Sequence, residues 1–277
     1  MKILVTGANG YLGSALVTKC IDSGYETVAV DINNTYIDKR AKYKNIDIFD
    51  PNIDFYEEFE RPDVLIHLAW RNGFVHKDTS HIIDLPSHYL FIEKMINSGV
   101  KFVSVMGSMH EIGYHEGMID ENTPCKPLSI YGIAKNALRE SLECLLAESD
   151  VNFHWLRAYY IIGNDVRSNS VFGKLLRKAM DGEKEFPLNS GKIKYDFISL
   201  DELCEQIIAA SVQKKINGTI NLCSGKPASL GERIEQFIKD NNLDIRIHYG
   251  VFPDRPYDSP VIYGDNSKIT EIMKNTT

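Results

Sequence analysis

The sequence predicts an α/β fold in which helices cover both faces of a doubly wound parallel sheet. Three observations predict it. Short apolar segments alternate with helical ones, and a glycine-rich turn joins the first strand to the first helix. The chain also has 277 residues, 43% of them hydrophobic, which is enough for one large core with a smaller lobe attached. Together these features are typical of a Rossmann-type domain.

The alternation can be followed element by element along the first part of the chain. Residues 2–6 form an apolar run that enters a glycine turn, so they are predicted as a buried strand. Residues 11–23 place apolar side chains on one helical face and end at Gly24. The same patterns predict later strands and helices: strands at 27–31, 64–68, 102–105 and 153–157, and helices at 87–97 and 131–148. The loops after parallel strands meet at one edge of a sheet, where ligands bind.

The regular alternation ends after Gly163. Residues 164–190 are polar with one predicted helix at 171–180, an apolar pattern returns at 195–203, and the tail from Pro227 is interrupted by prolines. We therefore predict a dinucleotide-binding domain and a small interleaved substrate lobe. Residues 1–163 form the first, and residues 192–223 return to it, while residues 164–191 and 224–277 form the second.

Composition excludes several classes of partner. The formal net charge of −7 argues against a general affinity for nucleic acid or an anionic membrane. No stretch has the pattern of a signal peptide or a transmembrane helix. The five cysteines have no paired spacing, which indicates a reduced, cytoplasmic protein without a metal site; they are Cys20, Cys125, Cys144, Cys204 and Cys223.

The turn at residues 6–13 has the spacing and the context of a dinucleotide-binding motif. Gly7 permits the tight exit from the strand, Gly10 lets the backbone approach a pyrophosphate, and Gly13 lets the helix pack against the sheet. Three glycines alone would also suit an ordinary tight turn, but Asp31 ends the next strand in register. Its carboxylate would bind ribose hydroxyls and repel a 2′-phosphate, so NAD is favoured. Lys39 and Arg40 lie downstream and leave NADP as an alternative.

A tyrosine and a lysine at the start of a predicted helix form a candidate acid/base pair. Tyr131 and Lys135 are one turn apart and therefore share a helix face. An ammonium beside a phenol lowers the pKa of the phenol, which suits proton transfer near neutral pH. Such a pair is common on helix surfaces, but a dinucleotide turn upstream favours the catalytic interpretation.

The chain resembles the extended short-chain dehydrogenase/reductase family, in particular its nucleotide-sugar branch. The resemblance covers nearly the whole chain. Its matching segments are the turn at 6–13, Asp47-Ile48, His67-Leu68-Ala69, the serine-bearing end of the fourth strand, Tyr131 with Lys135, Leu156-Arg157 and Asp196-Phe197-Ile198.

The resemblance implies catalytic roles for three residues. Ser108 and Tyr131 would hydrogen-bond the reacting oxygen, and Lys135 would hold the nicotinamide ribose. Ser104 is the alternative serine, but it lies within the strand and suits a packed hydroxyl. We expect Ser108 in the loop at the strand end.

The turn and the resemblance together define the expected binding sites. The expected cofactor site comprises Gly7, Asn9, Gly10, Tyr11, Leu12, Gly13, Asp31, Ile32, Asp47, Ile48, Leu68, Ala69, Trp70, Met106, Tyr131, Lys135 and Tyr159. The expected substrate site comprises Ser108, Met109, His110, Tyr160 and Arg255.

Departures from the family patterns separate the possible reactions. Dehydratases of this branch resemble Thr-Asp-Glu where this chain has Ser108-Met109-His110, so dehydration is disfavoured. Many epimerases resemble Arg-Tyr-Phe-Asn where this chain has Arg157-Ala158-Tyr159-Tyr160. Residues 107–113 and 120–124 look like those of deoxysugar 4-ketoreductases. The expected reaction is therefore NAD(P)H-dependent reduction of a nucleotide-activated 4-keto-6-deoxysugar, such as dTDP-4-keto-6-deoxyglucose to dTDP-fucose.

The same resemblance leaves two alternative functions open and implies an oligomeric state. A nucleotide-sugar 4-epimerase with tightly bound NAD is the main alternative reaction. A non-catalytic dinucleotide sensor is a further one, but such proteins tend to lose the tyrosine/lysine pair. In the family, the helix that begins near Tyr131 often builds a four-helix contact, which implies a homodimer.

Overall fold

The computed structural model describes residues 1–254 and 258–275. The strands are β1 (Lys2–Thr6), β2 (Glu26–Val30), β3 (Lys42–Lys44), β4 (Val64–His67), β5 (Phe102–Ser108), β6 (Gly117–Ile119), β7 (Asn152–Ala158), β8 (Tyr160–Ile162), β9 (Glu185–Pro187), β10 (Lys194–Ser199), β11 (Gly218–Leu222), β12 (Pro227–Ser229), β13 (Arg246–His248) and β14 (Val261–Gly264). The helices are α1 (Tyr11–Asp22), α2 (Phe55–Glu58), α3 (Ser80–Ile83), α4 (Leu85–Asn97), α5 (Ile130–Leu146), α6 (Val171–Met180), α7 (Leu200–Ser211), α8 (Leu230–Asp240) and α9 (Ser267–Lys274).

Seven of the described strands form one parallel sheet, which confirms the predicted Rossmann-type fold. Their order is β11-β7-β5-β4-β1-β2-β3. Buried side chains of α1, α7 and α9 cover one face of this sheet, and those of α2, α4 and α5 cover the other. The chain leaves β1 towards β2 on one side and later returns to β4 on the other. The loops after β1 and β4 therefore flank a topological switch point, where α/β sheets bind ligands.

The second lobe contains two smaller sheets. One has the order β12-β10-β14-β6 with β8 also paired to β10, and the other pairs β13 with β9. Aromatic and aliphatic side chains of α6, α8 and β10 fill the core between them, among them Phe172, Phe197 and Phe237.

The arrangement of elements differs from the predicted division of the chain at four segments. β6 and β8 were expected in the dinucleotide-binding domain, and β10 in the segment returning to it, yet all three pair within the smaller lobe. Conversely, α9 buries Ile269 and Ile272 against the core of the large sheet. Strand pairing between distant segments decides these assignments, and the local apolar pattern does not record it.

One strand is longer than predicted, and the difference affects the candidate site. The strand predicted at 102–105 continues to Ser108, because β5 pairs with β7 in register from Phe102 opposite Asn152 to Ser108 opposite Ala158. Ser108 is thus the last residue of a central strand rather than a loop residue. Within the described residues, the structure contains no helix that is both long and apolar enough to cross a membrane.

Candidate active site

The glycine turn between β1 and α1 is shaped by close backbone approaches. Gly7 has a φ of +70°, and a Cβ there would lie 2.7 Å from the backbone nitrogen of Ala69. A Cβ on Gly13 would lie 2.0 Å from the carbonyl oxygen of Gly7. Gly10 caps α1 without a side chain, so no side chain occupies the amides of the first turn. This cradle fits a pyrophosphate, which free amides and the positive end of the helix dipole would hold.

A cavity of about 350 Å³ opens beside the turn and brings together most of the expected cofactor residues. The expected residues that line it are Gly7, Gly10, Asp31, Ile32, Asp47, Ile48, Leu68, Ala69 and Trp70. The carboxylate of Asp31 accepts hydrogen bonds from the backbone N–H of Asn9 at 3.0 Å and of Ile32 at 2.8 Å. These bonds fix the carboxylate at the cavity wall, where an adenosine ribose would meet it.

The remaining expected cofactor residues have different surroundings. Leu12 and Met106 pack against the core, while Tyr11 directs its hydroxyl towards Gly163. Tyr159 is buried in an apolar cluster with Ile112 and Cys223, away from the cavity beside the turn. The side chain of Tyr159 therefore fills the core of the smaller lobe, and its assignment to the cofactor site stays a prediction.

Arg40, one of the two basic residues that left NADP as an alternative, is already paired with carboxylates. Arg40 pairs with Asp38 at 2.6 Å and with Asp22 at 2.8 Å, so its guanidinium is already neutralised. The carboxylate of Asp31 thus lines the cavity beside the turn, and the guanidinium of Arg40 is not free to bind a phosphate there. This arrangement suits the two free hydroxyls of the NAD ribose better than the phosphate of NADP.

Ser108 is held by a buried polar network. Its backbone N–H donates to Glu111 at 2.5 Å, and the other carboxylate oxygen of Glu111 accepts from the Trp155 indole at 2.9 Å and from Arg157 at 3.4 Å. Burial raises the pKa of Glu111, and the neighbouring Arg157 opposes that shift. The serine hydroxyl accepts the backbone N–H of His110 at 3.3 Å, and its proximity lowers the pKa of the Tyr131 phenol. Glu111 is not among the site residues expected from the sequence, yet it anchors the strand end.

Tyr131 and Lys135 lie in the first two turns of α5, which Ser129 caps by accepting from Gly132 at 3.1 Å. Lys135 is 2% exposed; its Nζ donates to the Met106 carbonyl at 2.8 Å and lies 3.8 Å from the centre of the Trp70 ring. Burial lowers the pKa of Lys135 to about 7. Burial also raises the pKa of Tyr131 to about 12, so the expected lowering by the ammonium does not occur in the protein alone.

A second cavity, of about 560 Å³, takes its lining residues from both lobes. Three expected substrate residues line it: Met109, His110 and Tyr160. His76 lines it too, and its ring stacks on Tyr131 with centres 5.2 Å apart and an angle of 11°. Arg255, the fifth expected substrate residue, lies outside the described residues.

Two residues with functional surroundings were missed by the sequence reasoning. His76 follows β4 in a loop whose path the sequence pattern does not fix. Arg167 reaches Ser14 in the first turn of α1 at 3.3 Å and stacks on Tyr36 at 4.0 Å. Its Nη1 is buried without a hydrogen-bond partner among the described residues. Asp165 pairs with the other guanidinium nitrogens of Arg167, so this cation is also partly neutralised beside the glycine turn.

Comparisons with known proteins agree with this geometry. Residues 3–223 match the NAD dependent epimerase/dehydratase family. A dTDP-6-deoxy-L-talose 4-dehydrogenase (NAD(+)) from Aggregatibacter actinomycetemcomitans is 40% identical over 273 residues, which cover 95% of this chain and 99% of that protein. A solved UDP-N-acetylglucosamine 4-epimerase from Methanobrevibacter ruminantium M1 has a TM-score of 0.85 at 20% identity, covering 98% of this chain and 91% of its own. A UDP-glucose 4-epimerase from Thermotoga maritima has a TM-score of 0.82 at 23% identity, covering 98% and 92%. Both structural likenesses show the fold alone.

Proposed function

The chain belongs to the NAD dependent epimerase/dehydratase family, and from this premise we propose that it interconverts the C4 hydroxyl and the C4 ketone of a nucleotide-activated 6-deoxyhexose. One observation carries the proposal: the Tyr131 ring lies 6.3 Å from Trp70, which lines the cavity beside the glycine turn, and 5.2 Å from His76, which lines the cavity between the lobes. A dinucleotide on one side and a sugar on the other would meet at this phenol.

The 4-dehydrogenase relative changes the sugar that we propose. Reduction towards dTDP-fucose was the expectation from sequence, whereas the relative is a 4-dehydrogenase of dTDP-6-deoxy-L-talose. A catalyst accelerates a reaction in both directions, so a 4-dehydrogenase and a 4-ketoreductase can be one enzyme. We therefore place dTDP-6-deoxy-L-talose first, with dTDP-fucose as the second sugar to examine.

The cofactor of this reaction would lie in the cavity beside the turn. The first-turn amides after Gly10 would hold the pyrophosphate, Asp31 the adenosine ribose, and Lys135 the nicotinamide ribose. NAD supplies the acceptor or the donor of the hydride at C4 when it is bound. The absence of a free guanidinium from Arg40 near Asp31 supports NAD over NADP.

The residues of the chain would manage the proton and the charge at the sugar oxygen. Tyr131 would take the proton from the C4 hydroxyl in oxidation, and it would return that proton in reduction. Ser108 would hold the same oxygen by a hydrogen bond and so stabilise charge that develops on it. Ser108 opposes part of the effect of burial on the pKa of Tyr131. An ammonium at Lys135 would favour the ionised phenol as well.

The test is direct. The purified enzyme is incubated with dTDP-6-deoxy-L-talose and NAD, and with NADP in a parallel sample, while NADH or NADPH formation is followed by absorbance. We expect reduced cofactor in the NAD sample and a 4-keto sugar by NMR. The proposal is wrong if neither this sugar nor dTDP-fucose is oxidised with either cofactor.

A 4-epimerase is the second candidate, since the family that matches residues 3–223 includes epimerases. An epimerase would keep NAD through purification and would invert C4 without net formation of NADH. The same incubation distinguishes the two, because NMR would then show the C4 epimer of the supplied sugar and no absorbance change.

We also propose a cytoplasmic homodimer. Five free thiols support a reducing compartment. Ile83, Leu90 and Ile133 are apolar side chains that lie exposed on α3, α4 and α5, and a second copy could cover them. Sedimentation at micromolar concentration tests the assembly.

A further inference from the structure

The eight histidines of the chain fall into two groups by their hydrogen bonds. Among the described residues, six have a polar partner for at least one ring nitrogen. His67, for example, is bonded to Thr6 at 2.8 Å and to His88 at 2.9 Å. His81 is bonded to Trp70 and to the carbonyl of Val75, and the other three are His115, His154 and His248. These rings are satisfied within the protein.

His76 and His110 form the second group. Neither imidazole has a hydrogen-bond partner among the described residues, and both line the cavity between the lobes. Their ring centres are 4.4 Å apart, and they lie 5.2 and 6.1 Å from that of Tyr131. Because polar groups inside a protein are normally paired, two unpaired imidazoles facing one cavity indicate a polar ligand there.

The backbone fixes this pair beside the phenol. The carbonyl oxygen of His76 accepts the backbone N–H of Tyr131 at 3.1 Å, which ties the loop after β4 to the start of α5. His110 follows Ser108 in the turn that Glu111 anchors. Burial lowers the pKa of both imidazoles, that of His110 to about 4. Each neutral ring then offers one donor and one acceptor, a set that suits a hydroxyl group.

We propose that His76 and His110 form a subsite that hydrogen-bonds the hydroxyl on C3 of the sugar and so selects the substrate. This inference rests on the function proposed above. In a 6-deoxyhexose, the carbons on either side of C4 carry unlike groups, a hydroxyl on C3 and a methyl on C5. The two imidazoles match the hydroxyl, while Met109, Leu128 and Ile262 give the same cavity an apolar part that matches the methyl.

The test compares dTDP-6-deoxy-L-talose with its 3-deoxy analogue in the parent enzyme and in His76→Phe and His110→Phe. Phenylalanine keeps a ring against Tyr131 and removes the ring nitrogens, so only the polar role is lost. His248→Phe is the matched control, because His248 is exposed and pairs with Glu185 in the β9–β13 ribbon. Steady-state kcat/KM and calorimetric sugar-nucleotide binding are both measured, with thermal unfolding as a check on folding.

We expect the parent and the control to lose about tenfold in kcat/KM on removal of the 3-hydroxyl. Each phenylalanine variant should lose most of that discrimination, and His76→Asn and His110→Gln should restore part of it. If both phenylalanine variants keep the discrimination of the parent, the subsite is wrong while the proposed function stands. A parent that oxidises neither dTDP-6-deoxy-L-talose nor dTDP-fucose would overturn the proposed function, and the subsite with it.

Discussion

At the scale of single residues, the buried charges of the site have unequal surroundings. Glu111 is fully buried, but it receives hydrogen bonds from Ser108 and Trp155 and pairs with the equally buried Arg157. Lys135 is as deeply buried, and its close partners among the described residues are a carbonyl and an aromatic face. Glu111 and its partners hold the end of β5 in place. Lys135 is a buried amine with a lowered pKa, which is typical of a functional residue.

The phenol of Tyr131 is expected to carry the proton transfer. Tyr131→Phe should retain NAD binding, because the ring and the helix are kept, while turnover falls by about 100- to 10,000-fold. The measurement is NADH formation from dTDP-6-deoxy-L-talose together with calorimetric NAD affinity. Tyr89→Phe is the control, since it loses only a bond to Glu93 on α4. Turnover of Tyr131→Phe near the parent rate would remove the tyrosine from the mechanism.

The burial of Lys135 has a consequence for stability that depends on pH. Its pKa is about 7 in the folded protein and 10.5 in the reference state, so between these values the unfolded chain binds the extra proton. The free energy of unfolding of the parent should therefore rise with pH over this interval relative to Lys135→Met, by up to about 1.4 kcal/mol per pH unit. Below about pH 7 both states hold the proton, and the difference should be constant.

Urea unfolding of the two proteins at about pH 6, 8 and 9.5 measures this difference. The methionine side chain is nearly as long as that of lysine and carries no charge, so it fills nearly the same buried space as Lys135. Parallel pH curves for the parent and Lys135→Met would show that the lysine keeps an ordinary pKa.

At the scale of elements, the turn between β1 and α1 decides whether a dinucleotide can bind. A Cβ at residue 13 would lie 2.0 Å from the carbonyl oxygen of Gly7 and 2.9 Å from the Cα of Ala8, both of them backbone atoms. The helix would have to move away from the sheet to accept it. Because the free amides belong to this helix, the movement would displace the anion site.

Gly13→Ala is therefore expected to reduce NAD affinity by at least about tenfold and to lower the melting temperature. The backbone atoms that the new Cβ would contact can move only at a loss of stability. Gly73→Ala is the matched control for stability, because a Cβ at residue 73 meets no atom within 4 Å. Differential scanning fluorimetry and NAD titration measure the two effects. Normal NAD binding by Gly13→Ala would contradict the close packing of this turn.

At the scale of the whole molecule, the site lies between two lobes that are built from interleaved segments. The cavity between the lobes takes lining residues from the loop after β4, from the end of β5 and from β8, β10 and β14. The cavity beside the turn belongs to the large sheet alone. A ligand that binds the folded chain and not the unfolded one stabilises the whole of it.

NAD at a hundred times its dissociation constant should stabilise the protein by about 2.7 kcal/mol, and NADP at the same concentration by much less. Asp31→Asn should narrow this difference, because the amide no longer repels a 2′-phosphate. Thermal unfolding with each cofactor gives the comparison. Equal stabilisation of the parent by NAD and NADP would contradict the role assigned to Asp31.

The sequence alone determined the fold class and the turn, for a physical reason. Apolar periodicity and the three glycines at 7, 10 and 13 reflect requirements within one short segment of the chain. They can therefore be recognised without knowing which distant segments pack against it. Asp31 could be placed because it follows a strand immediately. Tyr131 and Lys135 could be paired because one helical turn separates them.

Only the tertiary structure decided which distant residues meet. His76 stacks on Tyr131, and Arg167 reaches the first turn of α1, because loops from different segments converge at the switch point. The extension of β5 to Ser108 and the placement of β6 and β10 depend on partners far along the chain. Contacts of this kind are set by strand pairing and by the packing of the two lobes, and no periodicity within one segment encodes them.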